Sequence, residues 1–468
     1  MNITYLIGNG FDVNIGLNSR YADFYRYYVK HQPENEADVV KRFKEGINTY
    51  IKNETQKDDL DTIDWRDLEV ALGQFTEKMT IEEGEPLYLD INDNLKEYLL
   101  GEYRYFDPEA YSKEEFINHL LNPVTKHFNR NTVASIKRYM ASINSEDFIS
   151  IINFNYTNSI EDLTGFKGTS LPLGGSVAGR KAYLQSLFHI HQTLKDEEIL
   201  VGVNDVSQIA NKQFQENRFL SNLYIKPRTN ALLGTGISQD CEAVIANTDL
   251  FVLFGTSAGI TDKDWWRAVC ERLVNSNARL IYFVHCTKKR PHMNLYLEDM
   301  RDEEIKKLFT SAGLNVESIF NNVIKRCYVS FPNTMFKLPV TYNNRLKQEK
   351  TYKIGNSEVT MKILEMDMKH VVVSVDAPGE ESGVPAESMW LKDYFPGYTH
   401  NSQHLLTPKI DEKEVPFDYI PIHNKNNRKD IYFEISSYLG KTSNYIIKSA
   451  ATEKKLNAFR SLLKEFSK

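Results

Sequence analysis

MNITYLIGNGFDVNIGLNSRYADFY, residues 1–25, runs an apolar stretch, ITYLI (3–7), straight into a glycine-flanked turn, GNGFD (8–12). A short apolar run without polar alternation suits a parallel strand covered on both faces. Glycines directly after it permit a tight turn and close approach of a ligand to the backbone. Five further runs repeat the pattern: FISIINF (148–154), SLFHI (186–190), EILVGV (198–203), LFVLFG (250–255) and LIYFVH (280–285). Each leads into a polar or glycine-rich cluster, in turn NYTN, HQT, NDV, TSAGITD and CTKK. In open α/β sheets ligands sit outside the carboxyl ends of the strands. The fold class expected is therefore α/β, a Rossmann-like and mostly parallel sheet with its site along that edge.

Between the first two runs, DWRDLEVALGQFTEKM (64–79) and EEFINHLLNPVTKHFNRNTVASIKRYMASI (114–143) place apolar residues three and four apart. They predict a large helical insertion over about 20–145. The acidic tract EEGEPLYLDINDN (82–94) has no such clear period. After about residue 330, Pro332 and Pro339 introduce the alternating segments KTYKIGNSEVTMKI (350–363) and KHVVVSVDA (369–377), and TEKKLNAFRSLLKEF (452–466) reads as a closing helix. The domain expectation is an α/β domain over 1–330 and a smaller C-terminal α+β accessory domain over 331–468.

The chain has 468 residues, 41% of them hydrophobic, enough to bury a large core. Its 57 basic and 63 acidic residues give a net charge of -6, which supplies no general attraction to phosphate backbones, so nucleic acid is not the expected partner. Cys241, Cys270, Cys286 and Cys327 are scattered without metal-like spacing, and no metal is expected. Without a signal-type segment or an apolar run of membrane-spanning length, the reading is a cytoplasmic protein with no membrane partner.

Four segments carry candidate chemistry. In GNGFD, Gly8, Asn9, Gly10, Phe11 and Asp12 form the first strand-end turn, with backbone N–H groups suited to phosphate and Asp12 placed to cap a helix or meet a ribose hydroxyl. INFNYTNSIEDL (152–163) gathers Asn153, Asn155, Thr157 and Asn158; Asn158 with Glu161 also makes a capping box, while Asn155 would project into the crevice. In SLFHIHQ (186–192), His189 and His191 share one face, and His191 is the better placed for general-base work. LFGTSAGITDKDWW (253–266) offers Gly255, Thr256 and Ser257 as a small-residue loop, Thr261 as an N-cap with Asp264 three residues on, and Trp265 and Trp266 as packing residues.

Read together, LIGNGFD, GLNSRYADF, DWRDLE around Trp65 and Glu69, FNYTNSIE, HIHQ and FGTSAGITDKDWW resemble the bacteriophage abortive infection AbiH family. The resemblance covers most of 1–330. The order of the blocks is also similar, more distantly, to sirtuin-type NAD-binding folds. That likeness implies NAD as ligand or substrate, with Gly8, Gly10 and Asp12 in the first loop, Asn155 on the asparagine, His191 on the catalytic histidine, and Gly255, Thr256 and Ser257 on the last loop. Two positions depart from it: Thr157 stands where an aspartate is expected, and Gln192 follows the histidine in place of glycine.

The resemblance implies an antiphage protein that binds and hydrolyses NAD or a related nucleotide, with Asn155 and His191 catalytic. Cleavage of the nicotinamide–ribose bond passes through an oxocarbenium-like state and releases a neutral group, so a positioned water matters more than a strong acid. A phage-derived trigger or partner protein is expected to gate such an activity, and a homo-oligomer is left open. Two other readings stand beside it: a non-catalytic nucleotide sensor or adaptor, favoured by Thr157 and Gln192, and an RNA-directed toxin, whose basic groove would rest on YIKPRTN (224–230) with Lys226 and Arg228.

Overall fold

A computed structural model of the chain describes residues 1–338 apart from 34, 56–64, 104–105, 107, 125–127, 144, 175–178, 286–294, 316–319 and 332–334; beyond 338 it describes the backbone of strands within 349–434. The chain divides into two compact units, one of Met1–Tyr103 with Lys113–Leu338 and one of Arg104–Ser112 with Pro339–Lys468.

In the first unit seven strands form one sheet: β1 (Asn2–Ile7), β2 (Asp147–Asn153), β3 (Leu171–Pro172), β4 (Ala182–His189), β5 (Leu250–Phe254), β6 (Arg279–Phe283) and β7 (Cys327–Ser330). Their order is β3-β4-β2-β1-β5-β6-β7, parallel except for the short β3 against β4. The chain leaves β1 toward β2 and β4, then returns across it to β5, so the strand order reverses beside β1. At such a switch point an open α/β sheet forms a crevice. The register sharpens the placement: Ile7 pairs with both Asn153 and Phe254, and Asn153 with His189. GNGFD, NFNYTN, HIHQ and GTSAG therefore leave the sheet side by side.

Five of the six apolar runs are strands. EILVGV is not: Val203 makes one isolated bridge to Ile225, and Ile199, Val201 and Val203 sit in a hydrophobic core with Leu68, Leu72, Leu87 and Tyr224. Its apolar character comes from burial against helices, which a short run does not distinguish from burial in a sheet. The strands missing from the expectation are β3 and β7, whose two and four residues carry too little pattern to stand out.

Between β1 and β2 the described residues are helical: α1 (Gly10–Asn14), α2 (Tyr21–Tyr28), α3 (Asp38–Thr55), α4 (Trp65–Phe75), α5 (Ile81–Tyr103), α6 (Lys113–Leu121) and α7 (Arg130–Ser142). The ambiguous acidic tract lies inside the 23-residue α5, whose buried residues include Leu87, Tyr88, Ile91, Leu95, Tyr98 and Leu99. After β2 come α8 (Ser159–Thr164), α9 (Lys212–Glu216), α10 (Arg218–Tyr224), α11 (Lys226–Leu233), α12 (Ile237–Ala246) and α13 (Lys263–Asn275). Trp266 is fully buried, stacked on Phe154 at 5.1 Å, and its Nε1 donates to the Gly259 carbonyl at 2.8 Å, so it is a packing residue as expected.

In the second unit β8 (Glu349–Ile354), β9 (Ser357–Met366) and β10 (Val371–Asp376) realise the two alternating segments. With two later strands they form an antiparallel five-stranded sheet. The closing helix read at 452–466 lies outside the described residues.

Candidate functional site at the carboxyl edge of the sheet

The two glycine loops meet each other. Gly8 N–H donates to the Phe254 carbonyl and Gly10 N–H to the Gly255 carbonyl, both at 2.9 Å. A Cβ on Gly10 would lie 2.5 Å from Gly255 Cα, and Gly255 itself holds φ +69°. The glycines thus let the turns after β1 and β5 touch backbone to backbone, and both amides are spent on that contact. Asn9 is spent as well, donating to the Ser19 carbonyl at 2.9 Å and accepting from Ser19 Oγ at 2.6 Å. Phe11 is core, edge-on to Phe116 and Phe336. On the β5 side, Thr256 Oγ1 accepts from Ala258 N–H at 3.1 Å and Ser257 is exposed.

Asp12 is 2% exposed and accepts from Thr157 Oγ1 at 2.7 Å and Ser159 Oγ at 2.9 Å. Thr157, the departure from the sirtuin-type pattern, is therefore the hydroxyl partner of a carboxylate supplied by the first loop. Burial pushes the Asp12 carboxyl up to about 6, against the pull of those two hydroxyls. A carboxyl raised from 3.8 to about 6 binds its proton more tightly folded than unfolded. Its stabilising contribution is thus complete below about pH 4 and is lost as pH rises toward 6. The loss is on the order of 3 kcal/mol, at about 1.4 kcal/mol per tenfold change in proton affinity. In thermal unfolding, Asp12→Asn should gain on wild type steadily from pH 4 to pH 6. Parallel pH curves for the two proteins would show that Asp12 is not held in this way.

The two histidines are clamped. His189 sets Nδ1 2.9 Å from the Asn155 carbonyl and Nε2 2.7 Å from Glu161 Oε1. His191 sets Nδ1 3.2 Å from the Phe154 carbonyl and Nε2 2.9 Å from Asp262 Oδ1. Each ring thus has an oxygen within hydrogen-bond distance of both of its nitrogens. Burial acts to raise the Glu161 carboxyl, but the His189 hydrogen bond and charge hold it below its ordinary value. For Asp262 burial is likewise outweighed, first by Lys226 and then by His191, and the carboxyl lies well below the usual range.

Two sequence expectations change here. Thr261 does not cap α13: Asp262 occupies the N-cap position and makes no capping hydrogen bond with its side chain. Asn158 makes no capping bond to α8 either and donates instead to Glu161 Oε1 at 3.0 Å. Both carboxylates are drawn from helix ends onto the histidines.

Lys226 is 4% exposed and bridges Glu69 Oε1 at 2.8 Å and Asp262 Oδ1 at 2.9 Å. Burial would lower its ammonium, yet the two carboxylates, Asp262 first, raise it above its ordinary value. So buried, Lys226 is not the surface cation that an RNA groove in YIKPRTN would need. Glu69 and Asp262 were legible as motif residues and illegible as partners, because nothing local links positions this far apart.

Asn155 is 3% exposed, and its backbone N–H donates to Asn153 Oδ1 at 3.0 Å. Its side-chain Nδ2 and Oδ1 have no hydrogen-bond partner. Neither do Asn158 Oδ1, Glu161 Oε2, Gln192 Nε2 and Thr261 Oγ1, which belong to the same loops. Buried polar groups are overwhelmingly paired, so a cluster of unpaired ones marks this edge as the candidate site. Gln192 also holds φ +64°, a strained value for a side-chain-bearing residue where glycine would be unstrained. Among the described residues no three His, Cys, Asp or Glu side chains converge as a metal set, and no helix is long and apolar enough to cross a membrane.

Sheet order, switch point and unpaired polar groups together define an α/β protein with a candidate site at its central strand ends. Residues 4–284 match the family model described as Bacteriophage abortive infection AbiH, and the chain belongs to that family. Its role is accordingly in abortive infection against bacteriophage. A search of curated proteins finds no match.

Proposed function

We propose that the protein acts in abortive infection by binding NAD or a related nucleotide in this crevice and hydrolysing its glycosidic bond. The observation that carries the reading is the Asn155 amide, buried at the end of β2 with donor and acceptor both unpaired. An amide in that condition suits a ligand that presents both a hydroxyl and a water, as a ribose under attack does. Positive character developing on the ribose is met by the carboxylates of Asp12, buried on α1, and Glu161, half-buried on α8. His191 serves as the base in its neutral form, keeping its N–H on Nε2 toward Asp262 while Nδ1 turns from the Phe154 carbonyl, the longer of its two contacts at 3.2 Å, and takes the proton of the attacking water. Nicotinamide leaves neutral and needs no strong acid.

A second reading, a nucleotide sensor without turnover, is favoured by the two occupied nitrogens of His191. Incubation of the purified protein with NAD, with and without phage-infected lysate, separates them. Nicotinamide and ADP-ribose are the expected products, and His191→Ala should lower their rate by roughly 100- to 10,000-fold. Retained NAD with no product under either condition would replace hydrolysis by sensing.

A further inference from the structure

We infer that Lys226 is a positioning residue for His191: seated on Glu69, it holds Asp262 against the His191 ring and so links the helical insertion to the crevice. This deepens the site assigned above and rests on that reading only for the nucleotide that lies there. The four groups come from four separate elements. Glu69 is on α4, Lys226 opens α11, Asp262 immediately precedes α13, and His191 lies two residues past β4. Yet they form one unbroken chain of contacts, Glu69 Oε1 to Lys226 Nζ at 2.8 Å, Lys226 Nζ to Asp262 Oδ1 at 2.9 Å, and Asp262 Oδ1 to His191 Nε2 at 2.9 Å.

The chemistry of the arrangement is one-directional. Asp262 Oδ1 serves both Lys226 and His191, so the Lys226 ammonium, itself held by Glu69, fixes where that oxygen stands against the ring. Glu69 Oε1 also receives the Gly202 N–H at 3.4 Å, a contact from the buried segment that packs against the insertion. Lys226 is thus seated from the insertion side and acts on the crevice side. Without its charge, Glu69 and Asp262 become two buried carboxylates facing one another, and Asp262 is the one that moves, because it is 16% exposed against 7% for Glu69. Asp262 then leaves His191.

The test reads the ring directly, in the full chain with 15N-labelled histidine and no nucleotide. The His191 signals are assigned by their loss in His191→Gln. Lys226→Met is expected to move them to the positions seen in Asp262→Asn. Glu69→Gln combined with Lys226→Met removes the opposing carboxylate and is expected to return them toward wild type. Unmoved signals in Lys226→Met, or a double variant that stays displaced, would overturn the proposal and leave Lys226 a structural ion pair. Should Lys226→Met fail to fold, Lys226→Gln, which keeps an N–H donor and loses the charge, is read the same way. On the same proteins, nicotinamide release should fall roughly 100-fold in kcat with little change in KM, as expected for a misplaced rather than a missing group. If wild type releases no nicotinamide the nucleotide reading fails, while the ring signals still decide the role of Lys226.

Discussion

Asn155→Ala should sharply lower turnover of the nucleotide and leave the fold standing. Loss of one well-placed amide donor in a desolvated site typically lowers kcat by roughly 100- to 1,000-fold. Most buried asparagines could not be truncated so cheaply, because their removal orphans a partner at a cost of about 1–3 kcal/mol. Here the side chain has no protein partner to orphan. Its backbone contacts, to Asn153 Oδ1 and from the His189 ring, survive the substitution. Unfolding free energy is therefore expected to stay within about 1 kcal/mol of wild type. Thermal unfolding with and without NAD checks both halves: wild type should gain stability from the nucleotide, by mass action, and the variant should not. A variant that is itself unfolded would mean that Asn155 is structural.

The largest effect on stability is expected at a glycine. Gly10→Ala adds one carbon where Gly255 Cα lies 2.5 Å away and the Gly255 carbonyl carbon and oxygen lie 3.3 Å away. All three are backbone atoms, so no side chain can swing aside. The turns after β1 and β5 must separate, and the Gly8–Phe254 and Gly10–Gly255 hydrogen bonds go with them. A loss of about 3 kcal/mol or more follows from overpacking combined with broken buried hydrogen bonds. Gly46→Ala on α3 is the control. Only Phe75 comes near the added carbon, at 3.9 Å, and alanine in a helix interior should gain about 1 kcal/mol. Denaturant midpoints measure both, and equal midpoints for wild type and Gly10→Ala would show that the turns do not depend on this contact.

That pair of glycines also shows how the sequence misleads. GNGFD and FGTSAG read as two independent openings toward a phosphate, because glycine after a buried strand is the usual signal of close ligand approach. The close approach is real, but the partner of each loop is the other loop. Strand pairing places β1 beside β5 although about 240 residues separate them, and no local pattern carries that distance. EILVGV fails for a related reason: its neighbours are helices that the sequence does not bring together.

The asparagines and histidines were legible because their chemistry repeats at strand ends, and the register then gathers them at one edge. What they touch was not legible. Asp262 and Glu161 stand at helix starts, where a carboxylate or amide reads as a cap, and the structure turns both onto histidines. Lys226 reads as a surface cation until burial shows that it must be neutralised from both sides. The residues alone determined the α/β class, the helical insertion and the strand ends that form the site, because those follow from hydrophobic period and turn chemistry. Tertiary structure alone decided which glycines face each other, which carboxylates hold the histidines, and that the Asn155 amide is left unpaired. Those are contacts between remote segments, fixed by packing and by the cost of burying charge.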